Sequence, residues 1–402
     1  MDTLTGTARE ALSSTCEDVR DGGPDDAVDG VPVGLVARPG STDQVAEVLK
    51  AAAAHELTVV PRGRGTKLTW GLPPTSADVL VDLGAMDRVL DHAAGDLIVQ
   101  AQAGTRLSDL QDVVGQAGQR LVVDETVPGA SIGGSLSTNA SGPHRMLAGT
   151  ARDLLIGITV VRADGVVAKA GGRVVKNVAG YDLGKLMIGS YGTLAVITEA
   201  VFRLHPLPAV ERWVAVPVDD ADRAHELAQA VVHSQAVPRA VEVDLPATGP
   251  GTLGVLLGGK AAGVDDRVRT VERVLGDEAT VTDEPPPGWA SYPLGPVLLK
   301  LTFALSGLRD VLTAARGAGL HVRGSAGAGV VHAAAADVTS LDALRTVCAA
   351  HGGSVVVVDA PAEVKQVTDV WGPVPALDLM RRVKDQFDPD RRLAPGRFVG
   401  GI

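Results

Sequence analysis

The stretch TVVPRGRGTKLTWGLPPT, residues 58–75, closes off the two commonest folds that a glycine-rich loop suggests. A β-branched run ends at Pro61, and Gly63 and Gly65 then allow positive φ and close backbone approach to a ligand. In a Rossmann-type dinucleotide fold or a P-loop, a helix starts directly after the glycines so that its amino terminus faces the phosphates. Pro73 and Pro74 forbid that helix here. Arg62, Arg64 and Lys67 give the loop a cationic lining suited to an anion, above all a phosphate, with Lys67 expected as a partly solvated charge. Upstream, GLVARPGSTDQVAEVLKAAAAHELTVVP reads as strand, helix, strand: Ser41 followed by Gln44 is a capping box, and Val45, Val48, Leu49 and Ala52 recur at helical spacing. The other phosphate-loop spacing, GVLLGGKA at 254–261, ends in Ala261 where a magnesium-binding Ser or Thr belongs, and its apolar residues read as strand interior.

At 402 residues, with 45% hydrophobic and 21% charged residues, the chain has room for two or three domains and a large core. Aromatic residues are only 3% of it, so small aliphatic side chains must supply most of that core. A net charge of −11 disfavours nucleic acid and anionic lipid as partners, and no long basic patch offsets it. The amino-terminal stretch has acidic residues and no apolar segment, and the longest apolar runs are of strand length, so no signal peptide or membrane span is expected and a cytoplasmic location follows. Cys16 and Cys348 stand alone, without zinc or iron–sulfur spacing.

Short strands are expected at 79–83, 88–92 and 97–104, then a helix over Leu107, Leu110, Val114 and Ala117 ending near Gly118. ETVPGASIGGSLSTNASGPHR, 125–145, with four glycines and a run of Ser, Thr and Asn, reads as a long loop, either plain surface or a backbone surface wrapped on a large polar ligand. From 154 to 208 a hairpin turning at Asp164-Gly165 is followed by a short helix near Asp182 to Ile188 and a closing strand.

Taken together, PRGRGT, PGASIGGSLSTNASG and KNVAGYDLGKLMIGSYGTLAVIT, in this order and spacing, resemble the FAD-binding domain of the vanillyl-alcohol oxidase / p-cresol methylhydroxylase (PCMH) superfamily. RGRGTKLTWG and GGRVVKNVAGYDLGKL are most similar to the FAD-binding, E-type component of bacterial glycolate oxidases. The resemblance implies an α+β fold: an amino-terminal segment (1–30), a two-subdomain PCMH-type FAD-binding domain (31–208), an α/β cap domain with an antiparallel sheet (209–375), and a carboxy-terminal helix and tail (376–402) that returns to the FAD domain. It implies that Arg62, Gly63, Arg64, Gly65, Thr66 and Lys67 cradle the FAD pyrophosphate. Pro128, Gly129, Ser131, Gly133, Gly134, Thr138, Asn139, Ser141 and Gly142 would lie along the pyrophosphate and flavin ring, and Gly192 and Ile197 near the cofactor. Tyr181 and Asp182 read equally well as packing and a helix cap. Thr66 occupies the position where covalent members often attach flavin through histidine, so FAD is expected to be non-covalent.

The cap departs from the catalytic relatives. Flavin-dependent 2-hydroxyacid dehydrogenases carry His-x-Gly-Asp-Gly-Asn-x-His, whose histidines help bind a metal and the substrate. SAGAGVVH, 325–332, keeps Gly327, Gly329 and His332 but has Ser325, Ala328 and Val330 at the first histidine, the aspartate and the asparagine. His332 is the candidate catalytic residue as a general base, against a plainer role as a hydrogen-bonded structural side chain. No metal site is expected. The favoured function is the FAD-binding subunit of a glycolate-oxidase-type complex acting on a small 2-hydroxyacid. Its partners would be a homologous FAD-binding catalytic subunit and an iron–sulfur subunit, and any attachment to the inner face of the membrane would run through them. The alternatives are a stand-alone FAD-dependent dehydrogenase of another alcohol or hydroxyacid, and a scaffold without redox turnover.

Overall fold

The computed structural model describes residues 6–172 and 182–402. Its first sheet has the order Val19–Asp21, Leu35–Ala37, Val79–Asp82, Val59–Arg62, antiparallel at the first pair and parallel at the other two. The helix Thr42–Ala54 makes the crossover. Ser41 Oγ accepts the Gln44 amide at 3.2 Å, while the Gln44 side chain reaches back to the Gly40 amide at 2.7 Å, and Val45, Val48, Leu49 and Ala52 are buried. A second, five-stranded antiparallel sheet runs Val89–Ala93, Ile98–Gln102, Val196–Arg203, Leu155–Val161, Val167–Gly171, with Gly165 at φ +78° in the hairpin turn. Both sheets share one apolar core running from Ala8 to Leu204 and including Leu393. Each fully buried Val or Leu in it stabilises by roughly 1.5–3 kcal/mol relative to exposure.

Beyond Pro208 an eight-stranded, wholly antiparallel sheet takes over, in the order Thr280–Thr282, Val210–Val218, Gly251–Gly259, Ala240–Leu245, His321–Ser325, Val330–Ala335, Val297–Thr302, Ser354–Asp359. The GVLLGG run is a strand, as its apolar residues suggested. Side chains alternate across this sheet. Val297, Leu299, Leu301, Val331, Ala333, Val241 and Val243 enter a second core with the helices Ala221–Val232, Ala261–Leu275, Leu308–Gly317 and Leu341–Ala350. Lys300, His332, Glu242, Asp244, Arg323 and Ser325 therefore lie on the opposite face, toward the first domain.

Two buried lysines tie the parts together. Lys365, 2% exposed, donates to Asp29 at 2.8 Å and to the Thr69 carbonyl, with Asp359 at 3.2 Å, linking the part of the chain beyond Pro208 to the part before it. On the helix Leu377–Phe387, Lys384 donates to Asp388 at 2.6 Å and to the carbonyls of Thr193 at 2.7 Å and Leu393 at 3.0 Å. The tail continues as an extra edge on Val59, whose amide donates to Arg392 O at 2.8 Å.

Candidate functional site

The loop 62–68, the segment 131–138 and the turn 191–192 enclose a cleft of about 660 Å³ at the carboxyl end of the strand Val59–Arg62. Arg62, Gly63, Arg64, Gly65, Thr66, Lys67, Ser131, Gly133, Gly134, Thr138, Gly192 and Ile197 all line it, so residues far apart in sequence are brought to one place. Pro128 and Gly129 do not line it. A β-carbon on Gly129 would come within 4.0 Å of Thr66, so Gly129 abuts the loop. Asn139 and Ser141 line a second cavity of about 720 Å³ that shares Thr138 and Tyr191 with the cleft. Gly142 lines a third, of about 780 Å³, which shares Ser141, Arg145, Tyr292 and His332 with the second. Tyr181 lies outside the described residues, whereas Asp182 accepts the Lys185 amide at 3.4 Å as a helix cap.

Several local expectations change. Segment 125–145 is not all loop, because Ser131 caps a short helix, Ile132–Thr138, by accepting the Gly134 amide at 3.3 Å. Gly65 has φ +75°, but Gly63 is not in the left-handed region. Position 63 needs glycine for close approach: a β-carbon there would sit 2.2 Å from Ser131 Oγ. The cationic lining is largely neutralised, since Arg62 pairs with Asp26 at 3.1 Å and Asp82 at 2.8 Å, and Arg64 with Asp87 at 3.2 Å. Lys67 is the exception, and it is not a partly solvated charge. It is 7% exposed, its ammonium has the Thr66 hydroxyl at 3.3 Å as hydrogen-bond partner, and no carboxylate among the described residues forms an ion pair with it. Burial pulls its pKa down to about 8, against a smaller opposing pull from Glu125.

The second cavity lies between the domains. Trp70, Tyr191, Tyr292, Trp371 and Phe398 converge on it, a concentration of aromatic rings in a chain only 3% aromatic. Tyr191, at φ +55°, stacks on Phe398 at 5.5 Å and meets Trp371 edge-on at 5.3 Å. Asn139, at φ +50°, has its side-chain oxygen buried and unpartnered. Lys300 and His332 stand opposite as cross-strand partners. His332 is 7% exposed, and its ring lies 4.3 Å from that of Tyr292. Burial, reinforced by the charges of Lys300 and Arg145, pushes its pKa well below the usual histidine value, so the imidazole is neutral. Burial also lowers Lys300 to about 8.

The third cavity is the space over the cap sheet, walled by Arg145, Glu242, Trp289, Tyr292, Ser325 and His332. The Tyr292 hydroxyl accepts from Thr126 at 3.0 Å, and Arg323 donates to Ser291 at 2.9 Å and Asp244 at 2.7 Å, so the segment 276–296 is pinned over the cavity. Ser325 is buried on this face, where its hydroxyl favours the ionised form of Glu242. Reading the sequence missed Tyr191, Arg397, Arg145, Glu242, Tyr292 and Lys300. Of these, Arg397 lines the cleft and donates to the Leu68 and Trp70 carbonyls at 2.6 and 2.8 Å. Its Pro-Gly-Arg context and the alternation that turns Glu242 and Lys300 away from the core were the available signals.

Residues 33–171 match the family described as FAD binding domain. Glycolate oxidase subunit GlcD of Bacillus subtilis is 31% identical over 208 residues, which is 52% of this chain and 44% of that protein. D-lactate dehydrogenase of Archaeoglobus fulgidus is 33% identical over 183 residues, 46% of this chain and 41% of that protein. The chain thus spans less than half the length of these relatives in the matched region. Among solved structures, alkyldihydroxyacetonephosphate synthase superposes over 91% of this chain and 76% of its own with a TM-score of 0.68 at 16% identity, a likeness of fold. Residues 33–171 thus carry the likeness to the FAD binding domain family, and the rest of the chain lies outside that match.

Proposed function

We propose that the chain binds FAD non-covalently across the first two cavities and serves as the FAD-binding subunit of a glycolate-oxidase-type complex that oxidises a 2-hydroxyacid. The observation that carries this reading is Lys67, a buried ammonium without a carboxylate, set among backbone amides at a cleft where Gly63 leaves no room for a side chain. A diphosphate supplies the charge that such a site lacks. In this reading the loop 62–67 with Ser131, Gly133 and Gly134 holds the diphosphate. Thr138, Asn139 and Ser141 line the way to the flavin, and Gly192, Ile197 and Arg397 close the cleft. Gly129 abuts the loop at Thr66, and Gly142 belongs to the substrate side.

When bound, FAD supplies two-electron acceptor chemistry. The chain's own residues would position the flavin, exclude water with the aromatic rings and offer the third cavity to substrate. The proton side is poorly served. A neutral His332 flanked by Lys300 and Arg145 accepts a proton reluctantly. Among the described residues no cluster of three or more His, Cys, Asp or Glu stands ready for a metal. That favours turnover in company with a homologous FAD-binding subunit and an iron–sulfur subunit over turnover alone. The substrate class follows the relatives named for glycolate and D-lactate, one of which is itself named as a subunit. No helix among the described residues is long and apolar enough to cross a membrane.

The test is co-expression with the products of adjacent genes, followed by dye reduction with glycolate and D-lactate. Activity should appear in the assembled complex and not in the single chain. An assembly inert toward both acids would overturn the substrate class.

A further inference from the structure

Arg145 is held in place without being neutralised. The turn that carries it is pinned from behind: Asp124 accepts the His144 amide at 2.9 Å and the His144 ring at 2.6 Å, and Met146 packs into the cap core beside Gly327. Arg145 itself makes no ion pair among the described residues, although it lines both the second and third cavities. Burial lowers its pKa, and Tyr292, Glu242 and Asp124 are the groups whose charges favour its cationic form. Glu242 shares the third cavity with it, on the cap face, with Oε1 buried and unpartnered. A guanidinium and a carboxyl that share one cavity without forming an ion pair leave a place for a third group. The guanidinium offers a planar fork of donors that matches a carboxylate.

The geometry points to the third cavity as a carboxylate-binding site in which Arg145 docks the substrate's carboxylate and Glu242 completes its hydrogen bonding. This rests on the reading of the chain as a flavoprotein of hydroxyacid oxidation, and it names the residues that would select the acid. Trp289, Tyr292 and Pro286 give the remaining wall an apolar character, which favours a hydroxyacid with a carbon side chain over glycolate itself.

Glu242 also makes the site sensitive to pH. Facing it are Arg145 and Asp124 from the first domain, Ser325, His332 and Lys300 on neighbouring strands, Asp244 and Arg323 on the same face, and Tyr292 from the segment above. Burial raises its pKa to about 8, against the opposing influence of Ser325 and Arg145. Below that pH the neutral acid tolerates a bound anion. Above it, Glu242 becomes a carboxylate that competes for Arg145.

The experiment titrates the FAD-loaded protein with oxalate and with butyrate, neither of which has a hydroxyl carbon to oxidise, and follows binding by calorimetry and flavin absorbance. Arg145→Met should weaken both about 10- to 100-fold at pH 7 with FAD content unchanged, the loss of a charged hydrogen-bonding partner. If Arg145→Met fails to retain FAD, Arg145→Lys decides, since a point charge cannot replace the fork and should weaken binding about tenfold. Parent affinity should fall above pH 8, and Glu242→Gln should remove much of that fall, leaving the part due to Lys300. Binding by both Arg145 variants within threefold of the parent, or no binding of either acid by the parent, would overturn the proposal. Reduction of flavin by a hydroxyacid with unchanged oxalate affinity in the Arg145 variants would sink this site and spare the wider reading. Arg145-dependent binding with no hydroxyacid ever reducing flavin, alone or in complex, would do the reverse.

Discussion

A β-carbon at position 63 would stand 2.2 Å from the hydroxyl oxygen of Ser131, so the first glycine loop and the second glycine-rich segment are packed in direct contact. Gly63→Ala should force the two apart and reduce FAD affinity at least tenfold. Ser131→Gly, which removes the clashing hydroxyl at a capping cost of about a few tenths of a kcal/mol, should restore part of it in the double variant, short of what the Ser131 hydroxyl itself gives the diphosphate. Gly65→Val acts differently. Arg62 Cδ at 3.7 Å is the nearest neighbour of a β-carbon there, so the penalty is backbone strain at φ +75°, about 1–3 kcal/mol, which Ser131→Gly leaves untouched. FAD titrations of the three single variants and of the two doubles with Ser131→Gly separate the two causes.

Lys67 should make FAD binding depend on pH. A bound diphosphate favours the ammonium, so the charged form is needed for full affinity and is present below its apo pKa of about 8. Affinity should be flat below that value and fall as pH rises through it, by up to about tenfold per unit. Lys67→Met should abolish the slope and lower affinity at pH 7 by about 10- to 100-fold. Fluorescence titration with FAD from pH 6 to pH 10 gives the answer, and an unchanged slope in Lys67→Met would remove Lys67 from the site.

Lys384 and Asp388 are enclosed on all sides, and Asp388 also accepts the Arg392 and Leu393 amides at 3.0 and 2.7 Å. Lys384→Met strips the ammonium from this network and from the Thr193 carbonyl next to Gly192, so urea unfolding should show a loss of about 3–5 kcal/mol. Arg381→Ala, which breaks an exposed pair with Asp378 at 3.4 Å on the same helix, should cost less than about 1 kcal/mol.

Acid or heat denaturation should release all flavin colour into the supernatant. Cys16 and Cys348 are both buried in apolar cores away from the cleft, and Thr66 offers no ring nitrogen for attachment. Colour retained on the precipitate would contradict this.

The gathering of the glycine-rich segments into one cleft was legible because its signals are local: glycines, a proline block after the loop, and a capping serine are read within a few residues of one another. The pairing of Arg62 and Arg64 was not, since Asp26, Asp82 and Asp87 reach the loop only through sheet pairing and folding of the chain. Lys67 looks like its arginine neighbours in sequence and differs only in what surrounds it. Arg145 and Glu242 are nearly a hundred positions apart and meet because the turn after Gly142 docks on the strand Ala240–Leu245. The erosion of the histidine motif at Ser325, Ala328 and Val330 was visible from the letters alone. What replaced its polar groups was not, because they come from other strands and from the first domain.

The single chain presents a conflict between anchoring and proton removal. Below about pH 8 Glu242 keeps its proton, so Arg145 is free for a carboxylate but no base is poised. Above that pH Glu242 is a base that also occupies Arg145. His332, surrounded by Lys300 and Arg145, does not fill the gap. Anaerobic stopped-flow mixing of the FAD-loaded single chain with glycolate and with D-lactate tests this directly. A full complement of FAD and little or no bleaching by either acid is the predicted result, with rapid bleaching only after assembly with the partner subunits. Rapid, saturable bleaching of the single chain by either acid would contradict the role as one subunit of a complex, making the chain a dehydrogenase in its own right and His332 the first residue to replace.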